Sequence, residues 1–138
     1  MIQLTRRYRF SATHRLHSPQ LPEAENQELY GKCNNPYGHG HNYEVEVTVS
    51  GKLDAETGRV VDLSQLDAVV KSHITEPFEH RNLNAEVPEF QQLVPTTENL
   101  SLIIDKRLRA AWDETFPGGQ PTLQRVRIYE TARNIFET

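Results

Sequence analysis

Of the six histidines in this chain, three fall where they can share one ion. His39 and His41 flank Gly40 at the head of an alternating run, so both imidazoles leave the backbone on the same side. His41 keeps the parity of Tyr43 and Val45, the apolar side of that run. His14 keeps the parity of Phe10 and Ala12 in an earlier alternating run. Any one of these alone reads as an ordinary packed histidine. Together, each interrupts an apolar register in the same direction, and the trio suits a catalytic zinc that retains an open fourth position.

Three further residue types bear chemistry. Cys33 lies in a polar loop, beside Lys32, Asn34 and Asn35, six residues before His39. A nearby cation and a metal lower a thiol pKa toward the thiolate; ligation to the metal, closing the site, is the other reading. Glu79 precedes His80, and a carboxylate beside an imidazole can orient the ring and raise its basicity. Glu130 shares the parity of Val126 and Ile128, so a carboxylate is expected on an apolar face at a strand end. Burying it unpaired is costly; a ligand presenting two N–H donors compensates, as does bending to solvent.

The elements that must position these groups follow from periodicity. Residues 2–16 alternate as a half-buried strand, with Arg6 as the exception among its apolar positions. Residues 18–40 are rich in turn formers and read as an irregular loop, of a length that is usually either functional or disordered. Residues 41–51 alternate again. Asp62 caps a helix carrying Leu63, Leu66, Val70, His73 and Ile74 on one face, which Pro77 ends. Thr96 or Thr97 caps a second helix, with Glu98 near its positive end and a stripe of Leu100, Ile103, Ile104, Leu108, Ala111 and Trp112. Residues 123–130 alternate, and a last short strand lies near 134–136. The order is ββααββ: an α+β domain with a four-stranded antiparallel sheet and two helices on one face. Its open edges invite subunits to join edge to edge.

Composition narrows the partners. The 138 residues suit a single domain, 1–138, large enough to bury a core without a metal staple. With 15 basic and 19 acidic residues the net charge is −4, which disfavours a general nucleic-acid binder. A single cysteine suits a reducing compartment. There is no membrane-spanning apolar run and the N-terminal residues lack the apolar core of a secretion signal, so the expected localisation is cytoplasmic.

The segments FSATHRL, GKCNNPYGHGHNYEVEVTV, EHRNLN, PTTEN and IYETARN occur in an order that resembles the 6-pyruvoyl-tetrahydropterin synthase family over nearly the whole chain. The resemblance implies the tunnelling fold, in which sheets from three subunits close into a barrel and two trimers stack as a homohexamer with active sites at subunit interfaces. It implies zinc on His14, His39 and His41, Cys33 as general base with His80 as its partner in proton transfer, and Glu130, Thr97 and Glu98 in the pterin pocket. The implied reaction is conversion of 7,8-dihydroneopterin triphosphate to 6-pyruvoyl-tetrahydropterin with elimination of triphosphate. Where the family usually has Asp, this chain has Glu79, one methylene longer. The alternatives are the 6-carboxy-tetrahydropterin synthases of queuosine biosynthesis, which usually have three residues between Cys and HGH where this chain has five (Asn34 to Gly38), and a non-catalytic zinc-containing pterin-binding module.

Overall fold

The computed structural model describes all residues, Met1–Thr138. Two long strands, β1 (Ile2–His14) and β2 (His39–Gly51), form the spine and pair antiparallel from Ile2↔Gly51 to His14↔His39. β4 (Thr122–Tyr129) pairs antiparallel with β2, and β5 (Ile135–Glu137) with β4. The expected four antiparallel strands are joined by a fifth. β3 (Arg81–Asn82) lies parallel to β1 on its outer edge, giving the mixed order β3-β1-β2-β4-β5. Two residues are too short for any periodicity to show.

Between β1 and β2 the chain forms α1 (Glu23–Tyr30) and a 3-10 turn (Gly31–Asn34), where an irregular loop was expected. The only buried residue of α1 is Asn26, so the helix lacks the apolar stripe by which helices are recognised. Asn26 instead pins the approach to the helix, accepting from Ser18 N and donating to the carbonyls of Ser18, Leu21 and Pro22.

The second crossover begins as expected: Asp62 accepts from the backbone N–H groups of Ser64 and Gln65 at the head of α2 (Leu63–Val70). Pro77 does not end this helix. The chain continues through a π-helical turn (Lys71–Thr75) into α3 (Glu76–Phe78). Proline lacks an N–H and its ring crowds the carbonyl four residues back. That carbonyl belongs to His73; the widened turn makes room for the ring, and Arg107 Nη1 donates to His73 O at 3.2 Å. Arg107 also stacks over the Phe78 ring, 4.8 Å from its centroid, and makes a two-pronged pair with Glu89. After β3 come α4 (Leu83–Glu86), a 3-10 turn (Pro88–Gln91) and α5 (Thr97–Thr115), capped by Thr96 Oγ1 accepting from Asn99 N.

The two long helical segments cover one face of the sheet, as expected. Phe10, Tyr43, Val45, Val47, Val49, Val126 and Ile128 meet Leu66, Val70, Ile74 and Phe78 from one segment and Leu100, Ile104 and Leu108 from the other, all buried. A bulge opposite Thr48/Val49 shifts the register of β4, which lets Leu123 and Val126 both reach this core despite opposite parity. Arg6, the exception on β1, grips Asp67 of α2 through Nε and Nη2 at 2.6 and 2.9 Å. The other face carries no helix. It is laced by Arg9–Glu44, Arg7–Glu46 and Arg127–Glu137 pairs across adjacent strands. No helix is long and apolar enough to cross a membrane.

Arg107→Met would leave the His73 carbonyl without its donor and Glu89 without its partner. The expected loss is about 1–3 kcal/mol of stability, read from urea unfolding midpoints. Arg81→Met, which breaks only the surface pair with Glu86, should change the midpoint by less than about 0.5 kcal/mol equivalent.

Candidate metal centre

The site forms where β1 ends and β2 begins. Gly38 makes that geometry possible: it sits at φ +84°, and a Cβ there would stand 3.1 Å from the His14 carbonyl. The chain therefore turns tightly past the end of β1 and enters β2 at His39.

His14 is 1% exposed, the most deeply buried histidine of the site. Its Nδ1 lies 2.9 Å from the Pro95 carbonyl, so this nitrogen carries the proton and donates. Nε2 is left with a free lone pair, as metal-ligating histidines are held by outer partners. That Nε2 stands 3.1 Å from Nε2 of His41. Cys33 Sγ is 4.0 Å from the same His41 nitrogen. One ligand atom from each of His14, Cys33 and His41 lies within 4.8 Å of the others, a grouping able to hold a metal ion. Two imidazole nitrogens and a sulfur form a donor set suited to a borderline-soft divalent cation.

The expected trio was His14, His39 and His41. His39 leaves the same side of β2 as His41, as its parity requires, and its ring is edge-on to that of His41 with centroids 4.7 Å apart. It is Cys33, however, that completes the compact group. The 3-10 turn carries the thiol to the histidines, a placement that no strand parity could reveal.

Burial sets the electrostatics. It pushes the His14 imidazole down to about 4, with the His41 ring adding to the effect. It pushes His41 down as well, against the pull of Glu130. The Cys33 thiol is raised, first by burial and then by the Glu130 carboxylate. The lowering expected from a nearby cation together with a metal is not supplied by the polypeptide alone.

Glu130 turns inward, as its parity predicts, with its side chain 14% exposed. Oε2 accepts from Thr97 Oγ1 at 2.7 Å, and Oε1 stands 3.3 Å from His41 Nε2. Thr97 is buried at the first turn of α5. Its neighbour Glu98 is exposed.

Glu79 and His80 do not join Cys33 within one chain. The Glu79 carboxylate, one methylene longer than the family's Asp, still reaches the ring at 3.1 Å. The His80 side chain is 82% exposed, and its backbone adopts φ 56° while its N–H donates to Ser11 O. It borders a hollow of about 310 Å³ shared with the outward-facing Ser11, Thr13 and Asn42. Parallel pairing of β3 with β1 fixes this placement.

A family model described as 6-pyruvoyl tetrahydropterin synthase matches residues 3–138. A curated relative from Poecilia reticulata, named 6-pyruvoyl tetrahydrobiopterin synthase, is 48% identical over 132 residues, which cover 96% of this chain and 86% of that protein. The human protein of the same name is 46% identical over 133 residues, covering 96% and 88% respectively. The solved structure of the Caenorhabditis elegans 6-pyruvoyl tetrahydropterin synthase superposes with a TM-score of 0.88 at 39% identity, covering 99% of this chain and 94% of that one.

Two outcomes are expected of this centre. After loading with Zn²⁺, the protein should retain about one ion per chain by elemental analysis, and His14→Ala and His41→Ala should each lose most of it. His39→Ala and Cys33→Ala divide the remaining readings: whichever variant loses metal identifies the third ligand. Second, the metal-free protein should lose stability as pH falls from 6.5 toward about 4. In that window the unfolded chain binds protons that the folded imidazoles refuse. Thermal midpoints of wild type and His14→Asn check this, the variant showing the shallower dependence.

Proposed function

Since this chain belongs to the 6-pyruvoyl tetrahydropterin synthase family, we propose that it is a zinc-dependent lyase that converts 7,8-dihydroneopterin triphosphate to 6-pyruvoyl-tetrahydropterin and releases triphosphate. The observation that carries this reading is the convergence of His14, His41, Cys33 and Glu130 at one end of the sheet. A metal-ligand set, a candidate base and an inward carboxylate there share one small volume. The pyruvoyl product is favoured over the carboxy product by the names of the relatives and by the five residues between Cys33 and His39.

His14, His41 and His39 are proposed to hold the zinc, with Cys33 kept as the base. When bound, the ion would supply Lewis-acid polarisation of the substrate's side-chain oxygens and a positive charge that offsets the raised thiol pKa. The remaining work belongs to the polypeptide. Glu130 accepts two hydrogen bonds from the amino-pyrimidinone edge of the pterin, and Thr97 Oγ1 holds that carboxylate in its orientation. Glu98 is proposed at the rim of the same pocket, on the helix turn that bears Thr97. Cys33 removes a proton from the substrate close to the ring, and His80 takes part in its transfer, with Glu79 orienting the imidazole.

His80 and Cys33 stand apart in one chain, so we propose that His80 completes the site of a neighbouring subunit. Three chains joined through the free edges, β3 and β5, would close a barrel whose lining is the helix-free charged face, and two such trimers would form a hexamer. The single thiol agrees with a cytoplasmic setting.

The test is incubation with 7,8-dihydroneopterin triphosphate and identification of the product by mass. The 6-pyruvoyl product and free triphosphate are expected. The 6-carboxy product would move the assignment to that reaction, and stoichiometric binding without turnover would make the protein a pterin-binding module. Glu130→Gln should weaken pterin binding by about 1–3 kcal/mol in a titration, because an amide N–H₂ then faces an N–H donor. Light scattering should give a mass that is a multiple of three chains; a monomer at micromolar concentration would contradict the barrel.

A further inference from the structure

The strap that leads away from His14, residues 15–18, is held by three side-chain amides, and one of them adjoins Cys33. Leu16 N donates to the Cys33 carbonyl at 2.6 Å. Leu16 O accepts from Asn34 Nδ2 at 2.7 Å, and the same amide nitrogen lies 3.2 Å from His17 Nδ1. Each side of the Leu16 residue is therefore tied to the Cys33–Asn34 turn. The side-chain amide supplies the rung that a second backbone strand would otherwise provide. Arg15 adds a third tie, its Nε donating to the Asn34 carbonyl at 3.3 Å. On the opposite side of the strap, Asn84 accepts from Arg15 N and donates to Arg15 O, at 2.7 and 2.9 Å.

The strap is continuous with His14. These bonds therefore set the position of the thiol relative to the imidazole at the strap's own root. Asn34 is 4% exposed, and both hydrogens of its amide have an acceptor. An isosteric carboxylate would place an acceptor against the Leu16 carbonyl and break the tie without changing volume.

Resting on the reading of Cys33 as the base, we infer that Asn34 is a positioning residue: it holds the Cys33 thiol at its 4.0 Å station beside His41 by clamping the turn to the strap from His14. Asn34 touches neither substrate nor metal in this role. Asn26 is the natural contrast. It is also buried, and its side chain makes more hydrogen bonds than that of Asn34, but it pins the far end of the strap at Ser18, Leu21 and Pro22, away from the thiol.

Cys33 is the single cysteine of the chain, so its alkylation reports on that thiol alone. In Asn34→Asp, kcat should fall about 10- to 100-fold while KM stays within about twofold, since a misplacement near 1 Å has that effect on rate. Zinc content should be unchanged, and iodoacetamide should modify Cys33 several times faster in the released turn. Asn26→Asp should lower the thermal midpoint with kcat and alkylation rate close to wild type. Unchanged kcat and alkylation in a folded Asn34→Asp would overturn the inference. So would losses in both variants that simply follow their stability. Should Asn34→Asp fail to fold, Arg15→Met removes the tie to the Asn34 carbonyl and is expected to speed alkylation in the same direction; an unaltered rate overturns the inference. A wild-type protein without turnover would instead defeat the reading of Cys33 as base, and the alkylation comparison would still judge the clamp.

Discussion

The register between β1 and β2 is the constraint on which the site depends. His14 pairs with His39, and Ala12 with His41, at the last rungs of an uninterrupted antiparallel ladder. A slip of one residue would turn His41, Tyr43 and the valines after it to the charged face and place their polar neighbours in the core. The register is held by Val45, Val47 and Val49, all fully buried, so the apolar core that stabilises the sheet also aims the imidazoles. The closest nitrogens belong to a diagonal pair, His14 and His41, and not to the directly opposed pair. The twist of paired strands favours one diagonal over the other.

The same burial that secures the register makes the site electrostatically incomplete. Neutral imidazoles are favoured at His14 and His41, the thiol of Cys33 is held protonated, and the one carboxylate, Glu130, is turned inward beside them. Such a group of lone pairs, with an anion at its margin, is matched by a cation. The protein fixes these groups with neutral partners: Pro95 O accepts from His14 Nδ1, and Thr97 Oγ1 donates to Glu130. These outer contacts come from the loop before α5 and its first turn, which ties the second long helix to the centre as firmly as the strands.

A different logic governs Glu79 and His80. Their place follows from Pro77, which forces the helix to widen, and from Arg107, which takes up the freed carbonyl and braces Phe78. The chain then leaves Phe78 directly onto the edge of β1, where His80 N meets Ser11 O in a left-handed backbone conformation uncommon outside glycine. The exposed histidine is thus delivered to the outer rim of the sheet by rigid structure on both sides.

Much of this was legible in the sequence wherever the pattern is periodic. Alternation located β1, β2 and β4 and turned His14, His41 and Glu130 inward, because strand geometry ties parity to side-chain direction. The helical stripe and cap placed α5, and the motif order placed the family. Parity and the resemblance, however, both named His39 where the compact group contains Cys33, and both the α1 helix and the β3 edge strand escaped notice. Those elements are held by polar ties, such as Asn26, Asn34 and Asn84, or by two rungs of backbone pairing, and neither leaves an apolar rhythm. The sequence by itself therefore determined which residue types were available and which side of each strand they leave. Only the tertiary structure decided which of them meet, because a turn anchored by hydrogen bonds to a distant strap carries its direction in those partners and not in its own periodicity.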